Sequence, residues 1–191
     1  MMLRKLLINT MLFVAISGGL GFATAHYAIE SGTRFVTRQA GPWKQWTMLG
    51  RSDADPYARA YMARKGLVPV AATVEQAYFA DSDSAGGWLN TSCEYRVVVG
   101  HAKGGWWSIA AYSKKGMLVA NAADRYAFSV DTAMPEVDGR AVVTLARDAR
   151  PGNWLPIGGS GPVTVVLSVQ PSPEQEKSGL ALPEIERIGC R

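Results

Sequence analysis

From Leu6 to Ile29 the chain reads LLINTMLFVAISGGLGFATAHYAI, with no formal charge, directly behind the basic pair Arg4 and Lys5. About 20 helical residues cross a hydrocarbon core, and Leu6–Ala25 is long enough on its own. Asn9, Thr10, Ser17 and Thr24 weaken the run, while Gly18, Gly19 and Gly21 are tolerated in membrane helices. The basic start predicts that Arg4 and Lys5 stay cytoplasmic and that everything after Tyr27 lies outside. Residues 1–30 are therefore expected to form a transmembrane signal-anchor, with residues 6–29 in the membrane. Ala23-Thr24-Ala25 also fits the small-residue cleavage pattern, so the alternative is a cleaved signal that frees a chain starting at His26. The apolar run exceeds the roughly 7–15 residues usual for a signal, which favours the anchor. The small residues around Gly18 and Gly21–Ala25 also suit helix packing in a membrane.

Beyond this segment the pattern changes period. Ser31–Ala40 is a polar connector, and Gly41–Trp46 reads as an extended stretch with two anchoring Trp. Asp53–Gly66 predicts a helix. Asp55 suits the N-cap, Pro56 the first turn, Arg64 and Lys65 the negative C-terminal end, and Gly66 the left-handed position after it. Its expected packing face carries Tyr57, Ala60, Tyr61 and Arg64. Strand signals then dominate: Val74–Ala80, Cys93–Val99, Trp106–Tyr112, Met117–Ala120, Ala127–Val130, Ala141–Ala146 and the near-continuous apolar run Val163–Val169. Turn signals separate them, among them Asp81–Gly87, Lys114-Lys115-Gly116 and Asp138-Gly139. About seven short strands without βαβ alternation predict a mainly β chain built as a sandwich or barrel, in one exported domain over residues 31–191. Pro171–Gly179 reads as a loop, and Leu180–Arg191 as a tail.

Composition adds constraints. Of 191 residues, 48% are apolar and 19% charged, which suits a packed core rather than a disordered chain. The net charge is +4, and Arg4 and Lys5 account for two of those charges. No run of like charge or basic–aromatic stripe appears, so nucleic acid is not an expected partner. Two cysteines, Cys93 and Cys190, are too few for a zinc site. In an oxidising compartment they pair as a disulfide; the alternative is two unrelated thiols. The closed loop, about 98 residues, would add roughly 4–5 kcal/mol on the chain-entropy view.

No catalytic constellation, metal set or cofactor motif emerges. His26 sits at the membrane boundary and His101 in a Gly/Lys turn, with nothing nearby that reads as a nucleophile elbow. Asp81–Gly86 begins like a calcium loop, but Ala85 and Ser92 stand where ligands are needed. Gly158–Gly161 lacks the Lys-Ser/Thr ending of a phosphate loop. One cluster remains, of Asn121, Arg125, Tyr126, Asn153 and Trp154. An Arg and two Asn among aromatics suit either a ligand pocket or a set of loop ties to backbone.

Trp106–Tyr112, Ala120-Asn121 with Arg125-Tyr126, Asn153-Trp154-Leu155-Pro156 and Val163–Val169 together resemble domain-of-unknown-function family 1214, over roughly Cys93–Gln170. Gly41-Pro42-Trp43, the helix Asp53–Gly66 and the Gly189-Cys190 ending are similar to a short, membrane-anchored bacterial form of it. The resemblance implies a jelly-roll-like antiparallel β-sandwich in the periplasm, on a single-pass inner-membrane anchor; a cleaved signal would leave it soluble in the periplasm. In longer relatives this domain follows a family 1254 domain, so the resemblance further implies a separate family 1254-like protein as partner. It supplies no catalytic residues. The expected role is a non-catalytic binding or assembly subunit of the cell envelope. The alternative is a small-molecule or glycan-binding domain or enzyme with a pocket around Arg125 and Asn153.

Overall fold

A computed structural model of the chain describes residues 2–33, 35–100, 105–170 and 181–191. His101 and the loop Pro171–Gly179 lie outside the described residues. The uncharged N-terminal run forms one helix, α1 (Met2–Ser31), unbroken through Ala23–Ala25. Its length and composition suffice to cross a membrane. Gly32, at φ 73°, ends it and donates its N–H to the Ala28 carbonyl.

Helix α2 (Pro56–Lys65) forms where its end signals place it. Asp55 accepts from the Tyr57 and Ala58 amides, and Gly66 takes the left-handed conformation at φ 63°. Its packing face differs from the expected one. Ala54, Ala58, Tyr61 and Met62 pack inward, whereas Tyr57 stays exposed. The cause is the hairpin beneath it, β1 (Thr37–Ala40) and β2 (Trp43–Trp46). The Trp46 ring stacks on Tyr61 at 4.1 Å, which turns that side of α2 toward the sheet.

Two sheets make the sandwich. The larger adds β3 (Gln76–Ala80), β5 (Trp107–Ser113), β6 (Ala127–Ser129) and β9 (Val163–Val169), in the order β1-β2-β3-β9-β5-β6. The smaller comprises β4 (Cys93–Val99), β7 (Ala141–Ala146), β8 (Asn153–Pro156) and β10 (Ile185–Cys190), in the order β10-β4-β7-β8. Their inner faces meet in one core, where Tyr95, Val97, Val143 and Leu145 oppose Ile109, Val165 and Leu167, all fully buried. Among the described residues neither sheet closes on itself, so the architecture is a sandwich, not a barrel.

Three details depart from expectation. The sheets are not purely antiparallel, because β7 and β8 pair in parallel. The chain returns beside β7 through Arg147–Gly152, and hydrogen bonds from Asn153 to Val142 O and from the Trp154 indole to Ala146 O hold it there. Met117–Ala120 makes a single bridge, Tyr112 with Leu118, instead of a strand; Met117 and Leu118 remain exposed and bury too little to extend it. The tail expected after Leu180 is a strand, β10, which pairs with β4 so that Cys190 stands opposite Cys93. The two form a disulfide across 97 positions of sequence.

Candidate functional site around Arg125 and Trp154

The loop between Val119 and β6 is built by Asn121. Its Oδ1 accepts from the Ala123 and Arg125 amides, and its Nδ2 donates to the Val119 and Arg125 carbonyls. Asn suits this role because its short amide mimics a backbone turn. Asp124 lies inside the loop at φ 47°, a left-handed conformation that Asp tolerates better than most residues. The Tyr126 hydroxyl donates to Asp124 Oδ1 at 3.2 Å. This hydrogen bond, more than its burial, holds the Tyr126 phenol above its ordinary pKa.

The loop delivers Arg125 across the sandwich edge. Its guanidinium lies 5.5 Å from the Phe128 ring centroid and 6.0 Å from that of Trp154, and it donates to the Trp154 carbonyl at 3.1 Å. Such stacking is favourable because the ring faces carry negative quadrupole charge. Sequence reasoning missed Phe128. The alternation in Ala127-Phe128-Ser129 could have flagged it as the inward residue of that strand.

Asn153 faces the other way. Successive strand residues point to opposite sides, so Asn153 turns into the protein while Trp154 turns outward. Asn153 is 6% exposed. It accepts from Met134 N at 2.7 Å and donates to Met134 O at 2.8 Å and Val142 O at 3.0 Å. Thus Arg125 and Trp154 come together with Phe128, Asn121 shapes the loop that carries Arg125, and Asn153 stands apart. Each hydrogen bond of Asn121, Asn153 and the Trp154 indole runs to backbone.

Two cavities lie elsewhere. One, about 350 Å³, surrounds the disulfide and is lined by Glu94, Arg147, Asp148, Arg150 and Arg191 among others. Its charges are already engaged: Arg150 binds Glu94 through two hydrogen bonds at 2.9 and 2.7 Å, Arg191 pairs with Asp148, and Arg147 donates to the Gly159 carbonyl. The bond from Arg150 holds the Glu94 carboxyl below the usual range. The other cavity, about 610 Å³, runs beside α1. Neither is lined by the five predicted residues. The calcium-like loop is also committed internally. Asp83 Oδ1 accepts from the Ala85 and Gly87 amides, and Arg187 pairs with its other oxygen at 2.7 Å.

The outer face of the six-stranded sheet has a different character. Registered across it are Ala77, Ser168, Ser108 and Ser129, then Phe79, Val166, Ala110 and Ala127, then Thr164 and Tyr112. None of these side chains is charged, although the Phe79 row continues to Lys44 on β2, and Phe79 itself packs against the cluster under α2.

The family described as Protein of unknown function (DUF1214) matches residues 75–174. No curated protein matches the chain. The fold is similar to that of the VPA0106 protein from Vibrio parahaemolyticus, with a TM-score of 0.55 and 19% identity over 72% of this chain and 36% of that one. An uncharacterized protein from Burkholderia cenocepacia is a weaker likeness, with a TM-score of 0.46 and 18% identity over 87% of this chain and 40% of that one. The chain therefore spans less than half the length of either solved structure.

Proposed function

The chain belongs to the DUF1214 family of proteins of unknown function, and from that membership we propose that it is a membrane-anchored, non-catalytic assembly subunit whose sandwich packs against a separate protein chain. One observation carries the reading: a charge-free strip on the outer face of β9, β5 and β6, where Ser168, Ser108 and Ser129, then Val166, Ala110 and Ala127, lie in register beyond the end that α2 covers at Phe79. Interface cores are depleted of charge. The partner we propose is a family 1254-like protein. That choice rests on the family resemblance.

The anchor reading draws on how α1 joins the domain. Glu30, in its last turn, pairs with Arg64 at 2.6 Å and Lys65 at 3.5 Å, and Lys44 donates to the Ser31 carbonyl. A helix tied in this way suits an uncleaved inner-membrane anchor that carries the sandwich into the periplasm. The test is co-purification of the tagged full chain with a family 1254 protein from detergent-solubilised membranes. The complex should survive in Val137→Arg, in the exposed turn before β7, and be lost in Ser108→Arg, on the face. A solitary wild-type chain, or equal capture by both variants, removes the proposal.

A second reading keeps one observation in its favour. Arg125 is exposed and its guanidinium makes one hydrogen bond among the described residues, so its remaining side-chain N–H groups can meet a carboxylate or phosphate while Trp154 stacks on a sugar face.

A further inference from the structure

We infer that Tyr27, Phe35 and Tyr57 form a lip that sits in the interfacial layer of the bilayer, so that the sandwich rests against lipid in a fixed pose. The inference rests on the anchor reading above and adds where the domain meets the membrane.

The position of the cavity along α1 sets its depth in the bilayer. The cavity beside α1 is lined by Gly21, Ala25 and Ala28 on the helix side and by Phe35, Val36 and Tyr57 on the domain side. After Gly32 the chain thus folds back beside the helix instead of continuing away from it. At about 1.5 Å per residue, Gly21 lies roughly 15 Å before the helix end at Ser31. With Leu6–Ala25 filling a hydrocarbon core about 30 Å thick, Gly21–Ala25 occupies its outermost layer. His26–Ser31 then spans about 9 Å, close to the thickness of one headgroup layer. Whatever faces Gly21–Ala28 across the cavity must lie at headgroup or upper acyl depth.

The side chains there suit that depth. Phe35 is 94% exposed, Tyr27 67% and Tyr57 44%. An aromatic ring left in water forgoes a favourable burial, which Phe and Tyr gain at the interface of a bilayer. The lip is also continuous with the apolar surface of α1, where Leu20 and Phe22 are exposed. The Glu30 pairs with Arg64 and Lys65 favour this pose by the modest amount that surface ion pairs contribute. The occupant is therefore bilayer lipid, not a soluble ligand.

The full chain, reconstituted in phosphatidylethanolamine–phosphatidylglycerol vesicles, tests this. Cys93 and Cys190 are tied in the disulfide, so Phe35→Cys, Leu12→Cys and Val137→Cys each offer one thiol for an environment-sensitive dye. The dye at position 35 should emit at shorter wavelength than at 137. It should be quenched by spin-labelled headgroups or upper acyl chains, and several-fold less by aqueous iodide. Iodide quenching at 35 equal to that at 137 overturns the inference. So does protection from both quenchers, which would place a second copy or a partner helix in the cleft. Position 12 reports the anchor separately. Deep acyl quenching at 12 with an aqueous 35 defeats only the lip; an aqueous 12 defeats the anchor as well.

Discussion

Asn153 illustrates what a single polar residue does in this sandwich. Its amide satisfies Met134 N–H, Met134 C=O and Val142 C=O in a site that water barely reaches. Truncation strands these groups, and each buried polar group left unpaired costs about 1–3 kcal/mol. Asn153→Ala should therefore lower the unfolding free energy by about 2–4 kcal/mol, read from denaturant midpoints of the full chain in detergent. An unchanged midpoint would mean that the amide is not the tie. Tyr61 makes a second residue-scale prediction. Burial, joined by the Asp81 carboxylate, pushes its phenol up to about 12. An unfolded tyrosine titrates near 10. The folded state thus holds its proton more tightly, so this contribution to stability is complete below about pH 10 and is lost as pH rises through about 12. Denaturation measured from pH 9 to 12 should show that loss, and Tyr61→Phe should flatten it. The sequence offered the five site residues as one group. It could not show that Asn153 and Trp154, being neighbours in a strand, face opposite ways.

At the scale of elements, legibility followed burial. Strands β4, β7 and β9 alternate or run apolar because one face or both are covered, and their limits are readable in the residues. Helix α2 carries its own end signals in Asp55, Pro56 and Gly66. Strand β10 was not legible, since Ile185 is buried and the other five positions are exposed. It exists because β4 offers a partner edge and Cys190 is bonded to Cys93. Strand β8 was hidden for a similar reason: Asn153 at its start and Pro156 at its end read as loop chemistry, and the parallel pairing with β7 is a long-range event. Cys190→Ser should cost about 2–5 kcal/mol. The amides of β10 should exchange first in hydrogen-exchange measurements, ahead of those in β4 and β7. Equal protection of β10 with and without the disulfide would show that its backbone pairing suffices.

At the scale of the molecule, the apolar helix meets the domain at Gly32, the Glu30 pair with Arg64 and the Lys44 bond to Ser31 O. The anchor reading predicts that alkaline phosphatase fused after Arg191 is active in bacterial cells, whereas a fluorescent protein that matures only in the cytosol stays dark there. It also predicts that the purified chain keeps its N-terminus instead of beginning at His26, which N-terminal sequencing reads. Activity of the fusions in the opposite sense would invert the topology and remove the oxidising surroundings that the disulfide requires.

The apolar helix, the caps of α2 and the mainly β character were legible in the residues alone, because each is written in contiguous residues whose period or end chemistry needs no distant partner, whereas the family came from a resemblance carried by separated motifs. Tertiary structure decided the rest: which side of α2 is buried, that β8 runs parallel to β7, that β10 is a strand, and that Arg125 reaches Trp154 and not Asn153. These outcomes depend on surfaces brought together from far apart in the chain, and their energies are set by the neighbour, not by the segment.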